Sequence, residues 1–412
     1  MAHLPTIEIS GADARDRGRQ YGEAARTLIE RSLAFYAESV PRATGLGWTE
    51  VLERAPYWVP VIEPHAPELL DEVRGIAEGS GRTFAEILAL NSRGELTRGN
   101  PFAPGDQRDG DQRDGDQRDG DQPVGDQRDD GCTSFAILPP ANPLGHVWSG
   151  QNWDLWAGVA DTIVLLRISR PGKPTVIGHV EAGQLARHGA NSAGLSLNAN
   201  GLGAGFGRGL AVPGTFVRRM VLESWDLYDA LQVVFGVRQS LSSNLLLTHR
   251  DGFAIDVETT PGRHGWMYPT DGLLVHGNHF QAFVPAQIND TYRPFSVDSL
   301  YRVPRVEEGL RQVRVDGTTE KAVETIVQNT MSDHFSHPNA VCQHVDPRRH
   351  ELDRYATIVS SLVDLTTGTY RLTPGLPCAN SYQQAPWNLY DGPGLSDRPD
   401  VDDPALSRIA AG

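Results

Sequence analysis

Cys132 stands at the junction of a Gly/Asp-rich stretch and a β-type run, in Asp130-Gly131-Cys132-Thr133-Ser134-Phe135-Ala136. A cysteine viewed alone is ordinarily a small buried hydrophobe. This setting offers it chemistry. Gly131 gives the backbone before it conformational latitude, so the thiol of Cys132 can attack the Gly131 carbonyl and cut the chain between the two residues. The freed α-amine, with an ordinary pKa of about 8, can then act as general base for its own thiol. A strand on one side and a slack segment on the other are what such self-cleavage requires: one side holds the nucleophile and the other departs.

The elements around Cys132 fit that requirement. Residues 105–129 read as five tandem pentapeptides of the GDQRD type, with Val124 as the only apolar side chain. Such a segment buries too little surface to offset its ordering entropy, so 105–130 is expected to be a linker. An Asp/Gly calcium solenoid is the sharper reading, but the units lack an apolar position to pack between turns. Upstream, apolar spacing predicts helices over Arg17–Val40, Pro67–Glu78 and Thr83–Asn91, the last opened by a Thr83/Glu86 capping box. Downstream, short runs rich in Val, Ile, Leu, Thr and Phe predict strands at Thr133–Leu138, Asp161–Ser169, Thr175–Val180, Leu195–Asn200, Asn244–Thr248 and Phe253–Glu258. Helices are predicted at Thr215–Leu231, Phe295–Val313 and Thr319–Asn329. Helices, then strands, then helices and strands again point to a layered α+β domain rather than alternating βαβ units.

Composition narrows the function. The chain has 412 residues and a net charge of −15, which argues against a general nucleic-acid binder. No apolar run approaches the ~18 residues of a membrane span, and the N-terminus lacks the pattern of a secretory signal. Three cysteines (Cys132, Cys342, Cys378) form no disulfide framework and suggest a reducing, cytoplasmic setting.

Several motifs occur together in order: Gly131-Cys132-Thr133-Ser134, Gly150-Gln151-Asn152-Trp153-Asp154, Gly189 to Leu195 (GANSAGL) with Asn198, and Val275-His276-Gly277-Asn278-His279. Upstream, Arg17 to Gly22 (RGRQYG) and Gly75 to Gly79 (GIAEG) belong to the same pattern. The chain thereby resembles the acyl-coenzyme A:6-aminopenicillanic acid acyltransferase family, within the N-terminal nucleophile hydrolases. The resemblance implies a four-layer αββα fold, built as one domain from a helical chain 1–131 and a catalytic chain 132–412 after self-cleavage at Gly131/Cys132. It implies Cys132 as nucleophile, Asp154 as the carboxylate orienting its amine, and Asn278 as an amide donor to the oxyanion. Asn198 would supply further donors there, and Arg302, in Tyr301-Arg302-Val303-Pro304-Arg305, would hold the Cys132 and Asp154 network by charge. An acyl-transfer site needs such a nucleophile, base, orienting carboxylate and neutral donors.

Plainer readings stand beside these. Asp154 could be a strand-end turn residue, Asn198 and Asn200 could satisfy backbone groups, and Arg302 could be a solvated helix charge. His276 and His279 suggest a metal, but with no cysteine or carboxylate nearby in sequence they read as packing groups. The stretch 200–209 (NGLGAGFGRG) has nucleotide-loop spacing without the framing strand and helix, and reads as a mobile loop bordering the substrate pocket. His334, His337, Cys342, His344 and His350 invite a zinc reading, yet the H-x2-H-x4-C-x-H spacing matches no usual closed site. Gln343 stands where the family carries an arginine. No cofactor and no metal are expected. The expected function is hydrolysis of a small N-acyl or aminoacyl amide through a Cys132 thioester. Acyl transfer from a coenzyme A thioester to a small amine is the close alternative, and a non-catalytic binding protein the remote one. Expected partners are a small-molecule amide and the two chains of one precursor, with no nucleic acid and no membrane.

Overall fold

The computed structural model describes residues 4–97, 102, 131–203, 209–286, 288–289, 292–294, 296–315 and 318–399. The pentapeptides at 105–129 and the centre of the Gly-rich stretch, 204–208, lie outside the described residues.

Fourteen strands are described, in chain order β1 (Thr6–Ser10), β2 (Cys132–Ile137), β3 (Trp148–Trp156), β4 (Ile163–Ser169), β5 (Val176–Glu181), β6 (His188–Asn191) and β7 (Leu195–Gly201). There follow β8 (Ser243–His249), β9 (Phe253–Thr259), β10 (His264–Met267), β11 (Leu273–His276), β12 (Tyr355–Asp364), β13 (Thr369–Pro374) and β14 (Gln383–Asn388). They form an eight-stranded sheet, β1-β4-β5-β6-β7-β8-β9-β10, and a six-stranded sheet, β11-β2-β3-β12-β13-β14. Every pairing is antiparallel except β1 with β4.

The side-chain period of two splits β2 between two cores. Cys132 and Ala136 pack in one cluster with Leu197, Ala199 and Leu245 of the facing sheet. Phe135 and Ile137 pack in another, with Val303 and Val306 of the helix Ser299–Leu310 and Val323 and Val327 of the helix Glu320–Met331. On the far side, Ile29, Tyr36, Val73 and Val217, from the helices Arg26–Thr44, Pro67–Ser80 and Gly214–Leu222, pack in the same cluster as Val164, Leu166 and Val180, which share one face of the larger sheet. The fold is a four-layer αββα arrangement.

Residues before the proposed cut are built into this core. β1 extends the larger sheet beside β4. The buried Glu72 carboxylate pairs with Arg17 at 3.2 Å and with Arg219 at 3.0 Å, and Arg93 pairs with Glu181 at 2.9 Å. The helices Ala14–Ala24 and Pro67–Ser80 cross at glycines: a Cβ on Gly18 would come 2.1 Å from Glu72 O, and one on Gly75 would come 2.1 Å from Arg15 O.

Two predicted helices are divided. The run Arg17–Val40 is broken at Ala25 into Ala14–Ala24 and Arg26–Thr44. The run Thr215–Leu231 stops at Leu222, and Asp226 caps a new helix, Leu227–Gly236, by accepting the Asp229 N–H. The Thr83/Glu86 capping box is present. Strands β1, β3, β6 and β10 to β14 were not foreseen; β3 covers the Gly150–Asp154 motif and is buried along its whole length, so it carries no alternation to read.

Candidate active site

β2 begins at Cys132, directly beside Trp153 of β3, so pairing of these two strands sets the thiol between the sheets, where it is fully buried. The same pairing brings Asp154 to the Gly131–Cys132 peptide. The Asp154 N–H donates to Gly131 O at 2.8 Å, and the Asp154 side chain lies so close that a Cβ on Gly131 would come within 3.1 Å of it. Gly131 does not have a positive φ. The backbone conformation at Gly131 therefore does not itself demand glycine, while a side chain there would press on the Asp154 carboxylate.

Asp154 Oδ1 accepts a hydrogen bond from Thr357 Oγ1 at 2.6 Å. Thr357 sits opposite Asp154 on β12 and is itself fixed by Gln343, which donates its N–H to Thr357 Oγ1 and accepts the Thr357 N–H, both at 2.9 Å.

Arg302 enters from the helix Ser299–Leu310 and is fully buried, not a solvated charge. Its Nη1 donates to Cys132 O at 2.7 Å and to Thr133 Oγ1 at 2.6 Å, its Nη2 to Asn278 Oδ1 at 2.7 Å, and its Nε to Asp298 Oδ2 at 2.8 Å. Asp298, four residues earlier, supplies the counter-charge that a buried guanidinium needs.

Asn278 follows β11 and turns its side-chain oxygen toward the Cys132 N–H. Oδ1 accepts the Cys132 N–H at 2.9 Å, and Nδ2 donates to Gly201 O at 2.9 Å. The orientation is fixed chemically, because Arg302 and the Cys132 amide are pure donors and Gly201 O is a pure acceptor. The Asn278 N–H donates to Ser299 Oγ, which in turn bonds His279 Nδ1 at 2.7 Å. Burial, with His276 and Arg302 nearby, lowers the His279 pKa to about 4, so the ring is neutral.

Asn198 is not brought to Cys132. Its Nδ2 donates to Ser149 Oγ at 2.7 Å, and Ser149 pairs with Ala136, four positions along β2 from Cys132 and about 13 Å away at strand rise. The reason is the crossing of the two sheets. The side chain two residues on, on the same face of β7, reaches closer: Asn200 Nδ2 bonds Ser134 Oγ and His276 O, both at 3.0 Å.

The histidines flanking Asn278 do have carboxylates near them, which sequence distance concealed. His276 Nε2 lies 2.9 Å from Glu258 and 3.8 Å from Asp256, all three buried. Burial lowers the His276 pKa, and Asp256 and Glu258 raise it to a net upward shift. Burial lifts the Asp256 carboxyl to about 6. Thr133, Thr357, Ser299 and Asp298 were missed as site residues; only Asp298 left a signal, its i,i+4 spacing to Arg302.

Among solved structures, the fold is similar to a variant of conjugated bile acid hydrolase from Clostridium perfringens, with 14% identity and a TM-score of 0.40, covering 62% of this chain and 97% of that one. It is also similar to penicillin V acylase from Agrobacterium tumefaciens, with 14% identity and a TM-score of 0.37, covering 59% and 83%. In sequence it is 27% identical over 263 residues to the 40 kDa form of acyl-coenzyme A:6-aminopenicillanic-acid-acyltransferase from Emericella nidulans. That match covers 64% of this chain and spans 66% of the relative, just under two thirds of its length. Residues 142–377, more than half of the chain and including Asp154, Asn198, Asn278 and Arg302, match the model of one family. The chain belongs to the acyl-coenzyme A:6-aminopenicillanic acid acyl-transferase family.

Proposed function

We propose that this protein is a self-processing amide hydrolase in which Cys132 is the nucleophile of both reactions. The observation that carries the proposal is the convergence on one peptide bond. Around Gly131–Cys132 lie the Asp154 carboxylate and N–H, the Asn278 amide and the Arg302 guanidinium.

In the first reaction the Cys132 sulfur attacks the Gly131 carbonyl carbon. Negative charge develops on Gly131 O, which already accepts the Asp154 N–H, so that donor serves as part of an oxyanion hole. The C–N bond breaks, the thiol proton passes to the departing Cys132 nitrogen, and water hydrolyses the thioester to leave a Gly131 carboxylate. Cys132 is buried while the peptide is intact, so displacement of the Gly131 end must open the thiol to substrate. This processing makes residues 1–131 and 132–412 two chains of one domain.

In the second reaction the new α-amine takes the Cys132 thiol proton, the thiolate attacks the substrate amide, and the amine product leaves with that proton. Water then releases the acid. Asn278 Oδ1 and Asp154 orient the amine. Asn278 Nδ2, which donates to Gly201 O, is our assigned oxyanion donor. Asn200, rather than Asn198, is the β7 amide extending toward this end of β2. No cofactor takes part in either reaction.

The activity for which the fungal relative is named favours a second reading, in which a coenzyme A thioester loads Cys132 and a small amine accepts the acyl group. The chemistry on Cys132 is the same. The described residues include no helix long and apolar enough to cross a membrane. No disulfide joins Cys132, Cys342 and Cys378, in keeping with our placing the protein in a reducing, cytoplasmic compartment.

A panel of N-acyl amines and aminoacyl amides, run with and without coenzyme A and acceptor amine, tests the proposal together with an acylating thiol probe. Acid release and a probe adduct on Cys132 are expected. Folded, cut protein that gives neither would leave the non-catalytic binding reading standing.

A further inference from the structure

Four side chains remote in sequence meet on the surface beside the helix Glu320–Met331. His334, Cys342 and His344 come from the segment that follows this helix, and Cys378 comes from the turn between β13 and β14. Their ligand atoms all lie within 4.8 Å of one another. The Cys342 and Cys378 sulfurs are 3.6 Å apart, and His344 Nε2 is 3.7 Å from the first and 3.6 Å from the second. His334 Nε2 and His344 Nε2 are 3.1 Å apart.

We propose that His334, Cys342, His344 and Cys378 form a structural zinc site. The lengths carry the argument. A tetrahedron with Zn–S arms of about 2.3 Å and Zn–N arms of about 2.0–2.1 Å has S···S, S···N and N···N edges of about 3.8, 3.6 and 3.3 Å. Four of the six edges match these to within about 0.3 Å, and the other two, from His334 to the sulfurs, lie within 4.8 Å. Two thiolates with two imidazoles are the donor set that selects zinc over the hard cations. Binding releases the two thiol protons to solvent and leaves a neutral Cys2His2 centre. Four protein ligands close the coordination sphere, so the ion is structural and does not activate water.

The spacing argument against zinc failed because the fourth ligand lies beyond β12 and β13. His350 is not part of the set: its Nδ1 accepts the Leu352 N–H. His337 packs its ring against His344, with centroids 4.8 Å apart.

The site has a consequence for Asp154. Gln343 lies between two of the ligands, holds Thr357 by two hydrogen bonds, and Thr357 Oγ1 bonds Asp154 Oδ1. Zinc would therefore fasten the segment that positions the carboxylate. The metal site itself stands whether or not Cys132 cleaves amides.

The full chain, prepared under reducing conditions without a metal-affinity tag, should retain about one zinc per chain through dialysis against a weak chelator. Cobalt(II) exchanged into it should give the visible and near-ultraviolet bands of a tetrahedral two-thiolate site. Cys378→Ser and His334→Ala should each cut the zinc content at least about tenfold, while Cys132→Ala keeps it. His334 is exposed, so its variant should fold even if Cys378→Ser does not; circular dichroism checks this. Folded, reduced protein that takes up neither zinc nor cobalt would overturn the proposal. So would a Cys342–Cys378 disulfide in freshly reduced preparations, zinc retained unchanged in folded His334→Ala, or zinc lost in Cys132→Ala.

Discussion

At the scale of single residues, the proposed mechanism gives Asp154 two separable tasks. Its backbone N–H, bonded to Gly131 O, would steady the oxyanion of self-cleavage, and its carboxylate, packed against Gly131, would orient the amine that cleavage frees. Asp154→Asn keeps the first and removes the second. It should therefore still be cut, while amide turnover falls by about a hundredfold or more; intact mass and steady-state kinetics on one sample check both halves. His279 gives a pH signature. Burial holds its pKa at about 4, below the usual 6.5, so the folded state binds this proton less tightly than the unfolded chain. The stability it contributes is complete above about 6.5 and is lost as pH falls through about 4. His279→Asn should flatten that part of the acid-unfolding profile, read by circular dichroism across pH 7 to 3.5. The sequence singled out Cys132, Asp154, Asn278 and Arg302, which the fold brings together, because each sits in a motif. It misjudged Asn198 because two sheets must cross before anyone can say which asparagine of β7 meets which end of β2. Asn278's orientation was illegible for the same reason: the donors that fix it, Arg302 and the Cys132 N–H, arrive from other elements.

At the scale of elements, the glycines of the Gly18–Gly22 and Gly75–Gly79 pairs proved to be a helix crossing. Each would place a Cβ within 2.3 Å of a backbone oxygen on the partner helix, and backbone cannot move aside as a flexible side chain can. Gly75→Ala should thus reach or exceed the upper end of the ~1–3 kcal/mol typical of overpacking, measured as a shift in denaturation midpoint. Helices with capping signals, such as Phe84–Asn91, were legible from Thr83 and Glu86 alone. Pattern failed in two ways. Ala25 breaks the first long helix without a glycine or proline to announce it. β3 and β12, buried on both faces by their position between layers, show no period of two.

At the scale of the whole molecule, the two pieces that the proposed cut would make share one core. Strand β1 pairs with β4, and Glu72 binds Arg17 on its own side of the cut and Arg219 across it. Both arginines are fully buried. Glu72→Ala leaves these charges in a dry core short of a partner, at a cost of about 3–5 kcal/mol. It should weaken association of the two pieces as well as lower the melting temperature, which size-exclusion chromatography in mild denaturant can follow. The layered α+β class was legible from the order of elements. That residues before Cys132 would contribute a strand to the larger sheet was not, because Thr6–Ser10 is five residues long and stable only beside β4. All of this rests on one bond. Intact-mass measurement on freshly purified protein should find residues 1–131 and 132–412 as separate masses that co-elute under native conditions, with cleavage independent of protein concentration and Cys132→Ala left whole and inactive. A fully active enzyme that remains a single uncut chain would contradict the account, since the amine that deprotonates Cys132 would not exist.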